Sequence, residues 1–241
     1  MPALAKLTLS LAVTGRRADG YHLIDAEMVT VDLADELVFG GGDGLEVIGG
    51  PEGGEVGAPE GDDNLVRRAL RAVERTAHVR LTKHIPAGAG LGGGSADAAA
   101  VFRWAGVDDP ALAASVGADV PFCVRGGRAR VTGVGEALEP LPQEDRTFTL
   151  LLAPFGCSTS AVYRTWDRLG SPPLGGSNDL ESAALVVEPR LAEARDRLAA
   201  ATGLRPILAG SGSTWFVEGE FPGDGRLVVR TAAPPSVRPS R

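Results

Sequence analysis

Five glycines fall within seven residues of the stretch IPAGAGLGGGSADAAAVFRWAG (85–106): Gly88, Gly90, Gly92, Gly93 and Gly94. Glycine is the costliest residue to order, so such a cluster needs a reason. It follows HVRLTKHI (78–85), which reads as a strand, and it opens an alanine-rich helix. The first amide N–H groups of a helix are unpaired, point one way and carry the positive end of its dipole. Glycines clear side chains from the approach, so the chemistry suited to this stretch is the gripping of a phosphate. Residues 88–93 also satisfy G-x-G-x-x-G. A dinucleotide fold further expects an acid about 20 residues on, at the end of the next strand, whereas 106–119 read as loop and short helix. The Walker pattern fails too, because no Lys-Ser or Lys-Thr follows the glycines. The plain alternative is a turn that only lets strand and helix pack closely.

The elements that must position this loop are legible in outline. LAKLTLSLAV (4–13) alternates Leu7, Leu9, Leu11 and Val13 with Thr8, Ser10 and Ala12, the period of a half-buried strand, and 26–39 continue in β style. Residues 40–63 are dominated by Gly, Pro and acids and read as a long exposed loop, with only LEVI able to pair. NLVRRALRAVERT (64–76) reads as an amphipathic helix with Asp62 and Asp63 as N-cap candidates. GADVPFCV (117–124) reads as the start of a second β-rich stretch running to FTLLLAPF (148–155). Helices at SAVYRTWDRL and PRLAEARDRLAAATG, strands at RPILAG and STWFVEG flanking a tight GSGS turn, and a last strand at RLVVRTAA follow. The tail PPSVRPSR is expected to fray.

Composition bounds the class. The 241 residues, 44% hydrophobic and 23% charged, can bury a real core. A formal charge of -7, from 24 Lys+Arg against 31 Asp+Glu and without a basic block, argues against nucleic acid as a partner. Cys123 and Cys157 form no CxxC pair and His22, His78 and His84 are scattered, so neither a disulfide framework nor a zinc site is suggested. No apolar run approaches the roughly 20 residues of a membrane span, and the N-terminus lacks a cleavable signal pattern, so no membrane and a cytoplasmic location are expected.

The stretch PAGAGLGGGSADAAA resembles the phosphate loop of the GHMP small-molecule kinases. AKLTLSLAVTGRRADGYHLI, DDNLVRRA, GADVPFCV, GVGEALEPL, STSAVY, SNDLE and GSGSTWF agree with it in order along most of the chain. RRADGYH, the glycine loop and GADVPF point within the family to the branch whose acceptor carries a cytidine diphosphate. The resemblance implies an α+β fold of two domains: 1–145, ribosomal-protein-S5-domain-2-like with the phosphate loop, and 146–241, a ferredoxin-like α/β domain. It implies transfer of the γ-phosphoryl of ATP, with Mg²⁺, to the 2-hydroxyl of a diphosphocytidyl-methylerythritol acceptor. A homodimer is the expected assembly.

The resemblance also distributes roles. Asp119 takes or orients the proton of the acceptor hydroxyl, and Lys6 holds Asp119 ionised and stabilises the transferred phosphoryl. Pro86, Ala87, Gly88, Ala89, Gly90, Leu91, Gly92, Gly93, Gly94, Ser95 and Ala96 form the nucleotide loop, with Asn64 and Leu65 lining the adenine pocket. Tyr21 and Tyr163 take the two faces of cytosine while His22 hydrogen-bonds its edge. Thr159 makes a polar contact close to the nucleotide, Gly210, Ser211, Gly212 and Ser213 close on the substrate, and Thr8 contacts it. Core packing for Tyr163 and plain helix capping for Asn64 are the bland alternatives. Thr8 stands where the family has asparagine, Ala96 stands where it has a second serine, and RWAGVDDPALAASV (103–116) is short for the family. Metal ligands are not assigned. Another GHMP kinase, acting on homoserine or mevalonate, and a nucleotide-binding relative without transfer activity are the alternative functions.

Overall fold

The computed structural model describes residues 1–49, 61–171 and 176–234. Part of the expected exposed loop (50–60) and nearly all of the tail expected to fray therefore lie outside the described residues. Strands β1 (Pro2–Arg16) and β2 (His22–Gly40) form a long antiparallel hairpin. The later half of β2 pairs antiparallel with β4 (His78–Lys83), which pairs in parallel with β3 (Gly44–Gly49). The earlier half pairs with β5 (Arg128–Gly133), followed by β6 (Ala137–Pro140). A second sheet runs β10 (Arg226–Arg230), β7 (Thr147–Leu151), β9 (Trp215–Glu218), β8 (Ile207–Leu208). Helices α1 (Leu65–Ala72), α2 (Gly93–Ala105), α3 (Pro110–Val116) and α4 (Val120–Arg125) pack with the first sheet; α5 (Thr159–Arg168), α6 (Glu181–Val187) and α7 (Leu191–Thr202) belong with the second. The fold is α+β, and among the described residues no helix is long and apolar enough to cross a membrane.

Two apolar clusters explain this arrangement. Ala98, Ala99, Ala100, Val101 and Phe102 of α2 are wholly buried, the alanines being small enough to bring the helix down onto β1 and β2. The other cluster joins Leu7, Leu9, Val29 and Val31 of the hairpin to Phe148, Leu150, Phe216 and Val229 of the second sheet. Fully burying one such Leu or Phe stabilises by about 1.5–3 kcal/mol. Strand β1 is thus covered on both faces near its middle, not half-buried as its alternation suggests: Leu7 and Leu9 face the second sheet while Lys6 and Thr8, also buried, lie on the opposite face. A register shift between Leu4 and Lys6 marks a β-bulge immediately before the lysine.

Three local readings change. GADVPFCV does not open a β-rich stretch; it contains α4, with Val120, Pro121, Phe122, Cys123 and Val124 all buried. A short apolar run buried on every side carries no period, and Pro121 in the first turn suits a helix start, where its missing N–H costs nothing. The N-cap of α1 is Asn64, whose Oδ1 accepts from Val66 N at 2.8 Å, and not Asp62 or Asp63. SNDLE leads into α6, an element the apolar pattern alone does not reveal. Cys123 and Cys157 are both buried and unbonded, and burial pushes the Cys123 thiol up to about 12.

Beneath the glycine loop, Lys83 at the end of β4 is clasped by Asp35 of β2 and Asp97 of α2, the latter at 2.8 Å. Asp35 also accepts the main-chain N–H groups of His84 and Ile85, which fixes the chain as it leaves β4 for the loop. Burial would lower Lys83, but the two carboxylates outweigh it and hold the amine above its ordinary range. Asp97 is raised as well, here by burial, which Lys83 opposes and Asp35 helps and which pushes it up to about 7. The folded chain therefore keeps a proton that an unfolded Asp97, with a pKa near 3.9, has released. Between about pH 4 and pH 7 this makes stability fall as pH rises, while Lys83 stays charged. Asp97→Asn is expected to flatten that slope in urea unfolding at pH 5, 6 and 7; a variant with the wild-type slope would contradict it.

Candidate active site

Helix α2 begins at Gly93, with Gly92 as N-cap in the left-handed region (φ 69°). Ala96 is the first residue whose amide turns back into the helix, reaching Gly92 O at 2.8 Å, and no side chain caps the turn before it. The N–H groups of Gly93, Gly94 and Ser95 thus stand at the positive end of a 13-residue helix, facing a cleft. Two glycines have no substitute here. A Cβ on Gly92 would lie 2.7 Å from Lys6 Cγ, and one on Gly90 (φ 78°) would lie 2.1 Å from Ala209 O. The loop thus rests on the lysine stem on one side and on the backbone of the second sheet's turn on the other.

That contact is stitched by main chain: Cys157 N and Ser213 N both donate to Gly88 O, at 3.0 and 3.1 Å, and Thr214 N donates to Ala89 O at 3.1 Å. Lys6 N donates to Leu91 O at 3.0 Å, tying β1 into the same knot. Lys6 Nζ donates to Thr8 Oγ1 at 3.0 Å and sits 3.5 Å from Asp119 Oδ2. Asp119 occupies the N-cap position of α4 yet makes no side-chain cap bond, which leaves its carboxylate turned to the lysine. Lys6 is 5% exposed and Asp119 about a third exposed, so the pair is anchored on the lysine side and open on the other.

At the far end of the cleft the β1–β2 turn carries Tyr21, 63% exposed, with Arg17 against its ring at 5.9 Å. His22 stacks on Tyr163 of α5 with ring centroids 4.7 Å apart, meets Trp166 edge-on at 5.7 Å, and places Nε2 2.7 Å from Asp167 Oδ1. Burial, reinforced by Asp119, holds the Tyr163 phenol well above the usual tyrosine range, so it stays neutral. Tyr163 both packs on the core and lines the cleft. Thr159, first residue of α5, shares a hydrogen bond with Ser211 Oγ at 2.8 Å.

One cleft of about 990 Å³ is lined by Lys6, Thr8, Tyr21, His22, Asn64, Leu65, residues 86–95, Asp119, Thr159, Tyr163, Gly210 and Ser211. Ala96 does not line it: its side chain is in the core and its amide is spent in the helix. Gly212 and Ser213 are set behind it, Ser213 giving its hydroxyl to Phe155 O. Asn64 caps α1 and faces the cleft as well. Arg16, Lys83, Asp97 and Asp167 also line it, and the sequence reading gives none of them a role, although Arg16 and Asp97 fall inside its motifs. For Asp167 a signal exists, since it follows Tyr163 by one helical turn; for Lys83 and Asp97 burial decides, and a sequence does not display it.

The model of the GHMP kinases N terminal domain matches residues 64–127. A 4-diphosphocytidyl-2-C-methyl-D-erythritol kinase of Cereibacter sphaeroides is 40% identical over 243 residues, 89% of this chain and 87% of that protein. One of Ruegeria pomeroyi is 37% identical over 268 residues, 96% and 94% of the two chains. A crystal structure of 4-(cytidine 5'-diphospho)-2C-methyl-D-erythritol kinase superposes with a TM-score of 0.73 at 34% identity, covering 97% of this chain and 99% of that one. With identity of this order over nearly nine-tenths of the chain or more, the chain belongs to the 4-diphosphocytidyl-2-C-methyl-D-erythritol kinase family of ATP-dependent GHMP phosphotransferases.

Proposed function

We propose that this chain phosphorylates the 2-hydroxyl of 4-diphosphocytidyl-2-C-methyl-D-erythritol with ATP, and that the other GHMP acceptors and a binding-only role do not apply. One observation carries the reading: a single cleft joins the bare start of α2, the Lys6–Asp119 pair at 3.5 Å and the Tyr21, His22, Tyr163 ring group. Phosphoryl transfer asks a protein mainly to align donor and acceptor and to neutralise charge. The amides of Gly93, Gly94 and Ser95 hold the triphosphate, and the Lys6 ammonium, fixed by Thr8, neutralises the charge on the moving phosphoryl. Asp119 accepts the proton of the acceptor hydroxyl as its oxygen attacks phosphorus and the bond to the leaving ADP breaks. Thr8 thus serves through the lysine, with a single hydroxyl where an amide is usual.

Mg²⁺ in such sites takes one or two protein oxygens, phosphate oxygens and water. The described residues hold no cluster of three metal-binding side chains, but Asp97 Oδ1 is buried without a partner, and Asp97 and Ser95 both line the cleft. Those two groups fit a phosphate-borne ion and would hold it, and such an ion would offset the charge of the phosphates. The division into domains falls near residue 145, between the end of β6 at Pro140 and the start of β7 at Thr147.

ADP release tests the function. Turnover is expected with the cytidylylated acceptor and not with homoserine or mevalonate; turnover with either of the latter, or with none, would reject the reading. Asp119→Asn is expected to lower kcat by about a thousandfold or more while a non-hydrolysable ATP analogue still binds, and near-normal turnover would remove its role. Tyr21→Ala is expected to raise KM for the acceptor about 5- to 100-fold with little change in kcat, as loss of one base-stacking face predicts, and an unchanged KM would take Tyr21 out of the base site.

A further inference from the structure

Helix α5 presents three side chains at i, i+3 and i+4 to one imidazole: Tyr163 stacks on His22, Trp166 meets its edge and Asp167 bonds its Nε2 at 2.7 Å. The second Asp167 oxygen faces Arg16 Nη1 at 3.5 Å, so this one carboxylate pins the last residue of β1 and the first residue of β2 to α5. His22 is 10% exposed on its side chain, held on one face by a ring and at Nε2 by an acceptor. A carboxylate only accepts, so Nε2 carries the proton, and in that tautomer of the imidazole Nδ1 is the acceptor.

We propose that Asp167 is a positioning and specificity-determining residue: by fixing the proton of His22 on Nε2 it makes the imidazole select a base that offers an amino group over one that offers a carbonyl. The proposal rests on the cytidine-diphosphate reading above. Cytosine differs from uracil at one edge atom, an N4 amino donor against an O4 acceptor, and an acceptor at Nδ1 pairs with the first and opposes the second. Selectivity of this kind comes from a buried polar atom left unpaired by the wrong ligand. Without Asp167 the ring is free to exchange tautomers and to turn, and the discrimination goes with it.

The test has two arms. In the free protein, ¹⁵N–¹H correlation spectra of the His22 ring are expected to show the Nε2–H tautomer in the wild type, a mixed population in Asp167→Ala, and the Nε2–H form again in Asp167→Asn, which keeps an oxygen acceptor. In kinetics with cytidine- and uridine-diphosphate-linked acceptors, Asp167→Ala is expected to lower the ratio of the two kcat/KM values at least tenfold, through KM of the cytidine substrate, with KM for ATP unmoved. Asp167→Asn restores most of that ratio. A merely structural aspartate would alter thermal stability and leave both tautomer and ratio in place, which would overturn the proposal, as would the Nδ1–H form or the imidazolium in the wild type at assay pH. A wild type that turns over neither acceptor rejects the proposed function and the discrimination with it, and the tautomer arm, run without substrate, then reports separately whether Asp167 sets the ring.

Discussion

The site depends on one close approach: main chain of the glycine loop laid against main chain of the 209–214 turn, with the Lys6 stem directly under the loop. The 2.1 Å that a Cβ on Gly90 would leave to Ala209 O, and the 2.7 Å from a Cβ on Gly92 to Lys6 Cγ, leave no room for a side chain in either gap. Four main-chain bonds, to Gly88 O twice, Ala89 O and Leu91 O, hold the pieces in register. Everything chemical hangs on that knot, because it determines how far the Lys6 ammonium sits from the open end of α2. Glycine's entropic cost is spent there on backbone proximity that no other residue permits.

Charge is arranged around the knot in two layers. On the cleft side Lys6 faces Asp119 and Thr8, a cation with one carboxylate and one hydroxyl, leaving capacity for an incoming anion. At the floor of the same cleft, toward the core, Lys83 is held by Asp35 and Asp97, and burial pushes the Asp97 carboxyl up. The inner cluster fastens β2, β4 and α2 to one another and so fixes where the helix starts; the outer pair meets the substrate. Burying such a cluster contributes little net stability, but breaking it leaves a charge stranded, so it works as a register device.

Much of this was legible in the sequence because it depends on local grammar. A strand, five glycines and an alanine helix specify a bare helix start whatever surrounds them, and Tyr21 and His22 follow a turn marked by Gly20. What was not legible depends on burial from all sides. The α4 segment has strand-like residues and takes the helical form because Pro121 and complete enclosure favour it. Ala96 is adjacent to Ser95 in sequence and yet points into the core, since successive helical residues turn by about 100°. The stacking of His22 on Tyr163, from chain positions 141 apart, follows only from the packing of α5 against the hairpin.

The most direct measurement is a crystal structure of the chain with a non-hydrolysable ATP analogue and 4-diphosphocytidyl-2-C-methyl-D-erythritol bound together. The account predicts the terminal phosphate against the amides of Gly93, Gly94 and Ser95 and beside Lys6, with the acceptor hydroxyl within about 3.5 Å of phosphorus and touching Asp119. A triphosphate seated elsewhere, or an acceptor hydroxyl turned away from Asp119, would contradict it.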